Sequence, residues 1–439
     1  MKEVFCKSRY FKMTAALVIL GMLAAVFGGR IWLKDKIMLP EDAHKALELE
    51  GNAEIVREFG LWTIGASVIN GEKGWFALRE YNTDDWSSVL RVEDREGNVL
   101  AESFFMDGGT VKQKAGDYAV LSGKPGEWAI LNRNTLELHE THLTNLQLDE
   151  SGRYYRGRDE SIAGRYLWMV YDTEKWGMRH ESRHQLIFPE REGYVIENAS
   201  DGPDRIVNLG TGEIVYTAPE GHHVKDGTDG MWLMSYEGVY YLLDDSFHMM
   251  LDGKVFADAS VEDGMVFGHL ITDWDYSHLL EETDGLVMSY KARASAFSSQ
   301  GEQIYGAEAG IDYLGSIGNI MVLYDGQKDC YVYEYMTVDG VYETRTTEGF
   351  FCYMDEEDGY MLACTPYTNK NQRVRPKDDQ IRLGIFPEDY KWSYVDLSLE
   401  PVLPFVFDEA SLSENGYAVV YTQQDYMAII DLMKRGEYL

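Results

Sequence analysis

The feature that most constrains the fold is a short unit that recurs along the chain: a turn glycine followed by an apolar, strand-like run. It appears as Gly74-Trp75-Phe76-Ala77-Leu78, Gly116-Asp117-Tyr118-Ala119-Val120, Gly164-Arg165-Tyr166-Leu167-Trp168, Gly193-Tyr194-Val195-Ile196 and Gly230-Met231-Trp232-Leu233. It returns as Gly264-Met265-Val266-Phe267, Gly285-Leu286-Val287-Met288, Gly318-Asn319-Ile320-Met321-Val322, Gly359-Tyr360-Met361-Leu362 and Gly416-Tyr417-Ala418-Val419. A spacing of roughly 30 to 55 residues is the range in which self-similarity points to propellers or arrays. In several copies the glycine follows Asp or Asn (Asp229, Asp263, Asp284, Asp358, Asn415). Such pairs suit hairpin turns whose central residues need positive φ.

A second pattern follows these runs: an apolar strand that ends in Asp or Asn. Asn132, Asp172, Asn208, Asp244, Asp396 and Asp431 each close such a strand. The side chain of a closing Asp or Asn can accept hydrogen bonds from its own turn, ending the strand and starting the next hairpin. The segments Val255 to Gly264 and Val406 to Gly416 also align with one inserted residue, and both place Ala and Ser before the turn. Small side chains suit the innermost strands of a propeller, which crowd around its channel. The last unit has room for strands near Tyr417, Met427 and Glu437, and its closure can borrow Glu54 to Phe59 from the amino-terminal side. A closed ring leaves fewer exposed sheet edges than an open stack of hairpins.

The fullest copy runs from Gly164 to Pro189 and contains Lys175-Trp176-Gly177. In this the chain resembles the tryptophan-glycine (WG) repeat family, whose units pass from a glycine-led strand through Lys-Trp-Gly to an Ile-Asp hairpin. Gly126-Glu127-Trp128-Ala129-Ile130 and Gly416-Tyr417-Ala418-Val419 with Ile430-Asp431 match the pattern more loosely, and the other units lack the Trp-Gly pair. The resemblance implies a repetitive β-protein of bacterial envelopes without assigned catalysis, and it carries no catalytic residues to transfer.

Composition agrees with packed sheet. Aromatics form 13% of the 439 residues, whereas disordered chains are poor in them. The formal net charge of −34 argues against unselective nucleic-acid binding, which needs a positive field. The four cysteines, Cys6, Cys330, Cys352 and Cys364, are too few and too irregular for a disulfide framework or a zinc cluster. A pairing of Cys352 with Cys364 requires adjacent strands; the alternative is a pair of small buried thiols.

Residues Met13 to Leu33 are almost wholly apolar and match the length a helix needs to cross a bilayer. Lys2, Lys7, Arg9 and Lys12 precede them, which orients the amino terminus inward and the body outward. No clear Ala-x-Ala site follows, so an anchor is preferred over a cleaved signal. Pro40 to Glu50 then reads as a short helix stopped at Gly51.

The sequence thus predicts an all-β protein: a β-propeller of about seven or eight blades preceded by one transmembrane helix and a short helical spacer. The expected divisions are a cytoplasmic tail (1–12), the anchor (13–33), a partly helical spacer (34–58) and the propeller (59–439).

His180-Glu181-Ser182-Arg183-His184 matches the H-E-x-x-H zinc-hydrolase pattern. That chemistry requires a helix, and the polar neighbours here predict a charged hairpin. Acid pairs (Asp84-Asp85, Asp244-Asp245, Asp273 with Asp275, Asp355 to Asp358) allow a propeller-type glycosidase, which needs two carboxylates ~5–10 Å apart over a cleft. In a chain with 74 acids close pairs are expected, and solvated turns are the simpler account of them. The stretch Tyr367 to Tyr390 breaks the strand rhythm and gathers Lys370, Arg373, Arg375, Lys377 and Arg382 in an otherwise acidic chain. Long loops in compact domains are often functional, so these five form the candidate ligand-binding set. His222-His223, Trp86 and Trp274 are lesser contact candidates. No catalytic residue, metal or cofactor is assigned. The expected role is binding of an envelope protein or a glycan by a single-pass cell-membrane protein whose body is extracytoplasmic.

Overall fold

The structure is a computed structural model, and it describes residues 53–59, 63–81, 88–102, 109–124, 126–161, 166–200, 202–275, 289–348, 351–354, 359–365, 391–422 and 426–432. The apolar segment 13–33 and the expected spacer helix lie outside these residues. Among the described residues no helix is long and apolar enough to cross a membrane.

The described chain is all-β. Short antiparallel strands follow one another as meanders and pair in chain order into eight sheets. Most sheets have four strands, such as Thr63–Asn70, Trp75–Tyr81, Ser88–Glu93 and Val99–Glu102. The seven-stranded sheet divides into two meanders, 222–244 and 256–306, joined through the single pair Tyr240 and Phe256. Among the described residues nine meander units therefore succeed one another, against the seven or eight expected.

Each unit buries its faces against its neighbours. One cluster joins Ile69, Leu90 and Val92 of the first unit to Ala119, Leu121 and Leu131 of the second. Others join successive units in turn, as Trp232 and Met234 of the fifth meet Ile196 and Ile206 of the fourth. The circuit returns to its start. Tyr417, Val419, Met427 and Ile429 of the last unit pack with Val68, Phe76 and Leu78 of the first.

The strand Glu54–Phe59 completes that last unit. It pairs antiparallel with Tyr426–Asp431, setting Glu58 opposite Ala428 and Phe59 opposite Met427. The expected loan of an amino-terminal strand is thus realised. It begins inside the 34–58 segment assigned to the spacer.

The glycine-led runs form second strands in most units because their turns need left-handed backbone. Gly116 has φ 49°, and a Cβ there would stand 2.2 Å from the Ser151 carbonyl oxygen of the next unit, so only glycine fits. The third unit departs from the expected register. Its second strand is Tyr154–Asp159, entered from Gly152, whereas the run after Gly164 forms its third strand, Leu167–Asp172. The sequence YYRGRD carries too few apolar residues to show as a strand. Gly157 within it lets Leu143 and Leu146 pack against the backbone, since a Cβ would come within 2.8 Å of both.

The closing Asp and Asn residues behave as expected. Asn132 Oδ1 accepts from the amides of Asn134 (2.9 Å) and Thr135 (3.0 Å), and Asn208 Oδ1 from those of Gly210 (2.9 Å) and Thr211 (3.0 Å). Asp396 does the same for Ser398 and Glu400. In the third unit the turn is Asp172 to Gly177, and Trp176, rather than Gly177, takes the left-handed conformation (φ 51°). That conformation costs about 1 kcal/mol or more for a bulky residue. The indole is held there by stacking on His139 of the second unit (3.7 Å) and by an edge contact with Tyr118 (6.2 Å). Trp176 thus wedges between units, the role aromatics have in such packing.

Candidate functional site

The first-to-second turns of neighbouring units touch one another. Glu414 Oε1 accepts from the Gly71 amide (3.0 Å), Gly116 abuts Ser151, and Glu190 of the fourth unit reaches past the fifth to accept, through Oε1, from the Asp263 amide of the sixth (2.9 Å). These turns share one rim. The second-to-third connections leave a strand length away, on the opposite rim.

Two segments outside the described residues, 276–288 and 366–390, are bounded by paired strands on that opposite rim. In the eighth unit Thr365 pairs with Lys391, and its hydroxyl lies 3.3 Å from the Lys391 carbonyl oxygen. In the sixth unit Asp275 pairs with Ser289 at the end of the strands Met265–Asp275 and Ser289–Ser298. The candidate residues Lys370, Arg373, Arg375, Lys377 and Arg382 fall between Thr365 and Lys391, outside the described residues. Strand pairing brings the two ends of that segment together at one point of the rim.

The zinc-hydrolase reading fails on local structure. His180 and Glu181 lie in the strand Met178–Ser182, and His184 lies in the turn before Gln185–Ile187. With no helix the two histidines do not share the face that the H-E-x-x-H chemistry needs. His180 Nε2 instead stands 2.8 Å from Glu197 Oε1, and this contact, opposed by burial, holds the Glu197 carboxyl below its ordinary range.

The acid pairs within the described residues serve turns and ion pairs. Asp244 Oδ1 accepts from the amides of Ser246 (2.8 Å) and His248 (2.9 Å), Asp245 pairs with Arg191, and Asp273 lies 3.4 Å from Lys291 Nζ. Asp84-Asp85 and Asp355 to Asp358 lie outside the described residues, as does Trp86. His222 Nδ1 contacts the Tyr241 hydroxyl at 2.6 Å and stacks on Tyr236 at 4.2 Å, while His223 Nδ1 lies 3.2 Å from Asp204 Oδ2. Cys352 and Cys364 are free, buried thiols. Cys352 stands opposite Ala363 and Cys364 opposite Phe351, a one-residue offset that sends their side chains to opposite sheet faces.

The rim that carries the first-to-second turns has an electrostatic feature that no sequence motif announces. Across the first, second and last units the charges balance, with Glu414 bound by Lys114 and Arg133. Across the third to sixth units carboxylates face one another. Burial pushes Glu190 and Glu262 up to about 7, and it also raises Asp149, Glu150 and Asp226. Asp226 and Glu150 add repulsion at both Glu190 and Glu262. The contacts link residues as far apart as Glu190 and Asp263, so no local motif announces them.

No protein-family model matches the chain, and no curated protein does. Among solved structures it is similar to BamB from Moraxella catarrhalis at 9% identity, covering 76% of this chain and 98% of that one, with a TM-score of 0.38. It is also similar to the C-terminal WD40 domain of Sif2 at 10% identity, covering 87% and 99%, with a TM-score of 0.35. A eukaryotic initiation factor gives 10% identity, coverage of 84% and 90%, and a TM-score of 0.42. At these identities and scores the likenesses assign neither a family nor a function.

Proposed function

We propose that the circuit of packed sheets is a closed β-propeller, held outside the membrane by the segment 13–33, and that it binds an envelope protein or a glycan. The observation that carries the reading is the packing of the last unit against the first. Completion of the last unit by Glu54–Phe59 makes the ring a stiff platform, and stiff platforms present long connections for recognition. The segment between Thr365 and Lys391 emerges from one rim and holds Lys370, Arg373, Arg375, Lys377 and Arg382, the densest run of cations in a chain of net charge −34. Against that background a basic segment selects anionic groups, on a protein or on a glycan. The Trp-Gly unit and the WG-like repeats fit the same architecture.

The test is affinity capture from envelope extract with the full-length protein and with a variant carrying Gln at those five positions. We expect a partner retained by the wild type to fall at least ~10-fold in the variant, and the loss to be mimicked by raising salt. Equal capture by both proteins would remove the basic segment from the binding face. Labelling of intact cells with a membrane-impermeant reagent tests location separately: modification of the body is expected, and protection would place the ring inside.

A further inference from the structure

We propose that the first-to-second-turn rim of the third to sixth units is a proton-dependent clasp, in which Glu190 in its protonated form ties three consecutive units together and ionisation of the carboxylate group around it loosens them. Glu190 sits in the turn between the strands Gln185–Ile187 and Tyr194–Asn198 of the fourth unit. Its amide donates to Asp226 Oδ1 (2.9 Å) in the fifth unit, and the neighbouring Arg191 amide donates to the Gly227 carbonyl oxygen (2.6 Å). Its side chain reaches the sixth unit, where Oε1 accepts from the Asp263 amide (2.9 Å). One residue thus stitches three units.

The other carboxylate oxygen is the decisive detail. Glu190 Oε2 is sealed from solvent, and the Thr228 hydroxyl is the side-chain donor beside this carboxyl. An ionised carboxylate would hold its charge in this buried place against Asp226 and Glu150, with only partial compensation from the Asp263 amide and the Thr228 hydroxyl; a neutral carboxyl avoids this cost.

The charged groups around Glu190 oppose its ionisation. Asp226 of the fifth unit and Glu150 of the third raise it further, while the Asp263 amide and the Thr228 hydroxyl offset part of the effect of burial. Glu150 in turn faces Asp263, Asp226, Glu192 and Asp149. Glu262 of the sixth unit is buried beside Asp263, Asp226 and Glu150, with Ser316 of the seventh as its hydrogen-bonding neighbour. The nearest cation in sequence, Arg191, is drawn away to Asp245.

The sign follows from linkage. Burial holds Glu190 and Glu262 at about 7 in the folded chain, above the ordinary 4.5. Their contribution is therefore fully present below the ordinary value and is lost as pH rises through 7. Rising pH charges the rim and weakens contacts between the units.

The test measures unfolding of the full-length protein by denaturant across pH 5 to 8.5, for wild type, Glu190→Gln, Glu262→Gln and, as a control on an exposed turn, Glu213→Gln. The slope of stability against pH counts protons released on unfolding. Near pH 6 we expect each of the two rim variants to release about one proton fewer than wild type, and Glu213→Gln to match wild type. Glutamine keeps the Asp263 contact, so the rim variants are expected to fold. If one does not, the other carries the test. Unchanged slopes in the rim variants, or an equal change in the control, would overturn the clasp.

Discussion

Replacing Phe59 by alanine should lower the unfolding free energy by about 3–5 kcal/mol, the usual cost of emptying an aromatic site in a packed core. Phe59 is 4% exposed and lies at the end of the strand that completes the last unit. It packs with Val68, Phe76 and Leu78 of the first unit and with Val419, Met427 and Ile429 of the last. Its loss therefore removes contacts on both sides of the closure. Equilibrium denaturation by urea reads the effect. A change below ~1 kcal/mol would mean that Glu54–Phe59 is not seated there.

Asp172→Ala is the second large change. Asp172 is fully buried and ends the third strand of its unit. Oδ1 accepts from the amides of Glu174 (2.9 Å) and Lys175 (3.0 Å), while Oδ2 meets Arg179 (2.6 Å) and Arg153 (3.3 Å). Alanine leaves two amides and two guanidiniums without this partner. The cost should be about 2–4 kcal/mol, less than for a fully buried pair because both arginines are partly exposed. Asp172→Asn keeps the turn acceptor and should lose roughly half as much. Burial alone would raise this carboxyl, but Arg179, the two amides and Arg153 outweigh it and hold it at about 2. Its stabilisation is therefore complete above the ordinary 3.8 and fades as pH falls through 2. Acid titration of wild type against Asp172→Asn checks that window.

What the sequence revealed was whatever the backbone requires locally. Turn glycines at Gly74, Gly193, Gly230, Gly264, Gly318, Gly359 and Gly416 all take positive φ, so their spacing exposed the repeat. The closing Asn132, Asn208 and Asp396 were legible because their partners lie two to four residues away. The strand Glu54–Phe59 was legible because the last unit lacked a fourth strand.

Less visible were features decided at a distance. Tyr154–Asp159 hides its strand character behind Arg156, Gly157 and Arg158, and Gly157 owes its place to Leu143 and Leu146. The mutual approach of Glu150, Glu190, Asp226 and Glu262 arises only when four units are packed side by side. In sequence they are a few among 74 acids. The H-E-x-x-H match shows the converse: the residues are present, but a strand and a turn carry them, not one face of a helix.

Closure of the ring by its amino-terminal strand is tested most directly by a cysteine pair at Glu58 and Ala428 in the full-length chain with its four native cysteines replaced. These positions stand opposite each other across the closing pair of strands. Directly opposed residues bring their Cβ atoms within about 5.5 Å, which suits a disulfide. Mild oxidation should link Glu58→Cys to Ala428→Cys in high yield. Glu58→Cys with Ile429→Cys, whose side chain faces the other side of the sheet, should stay reduced. Absence of the first link, or equal formation of both, would contradict the closed ring.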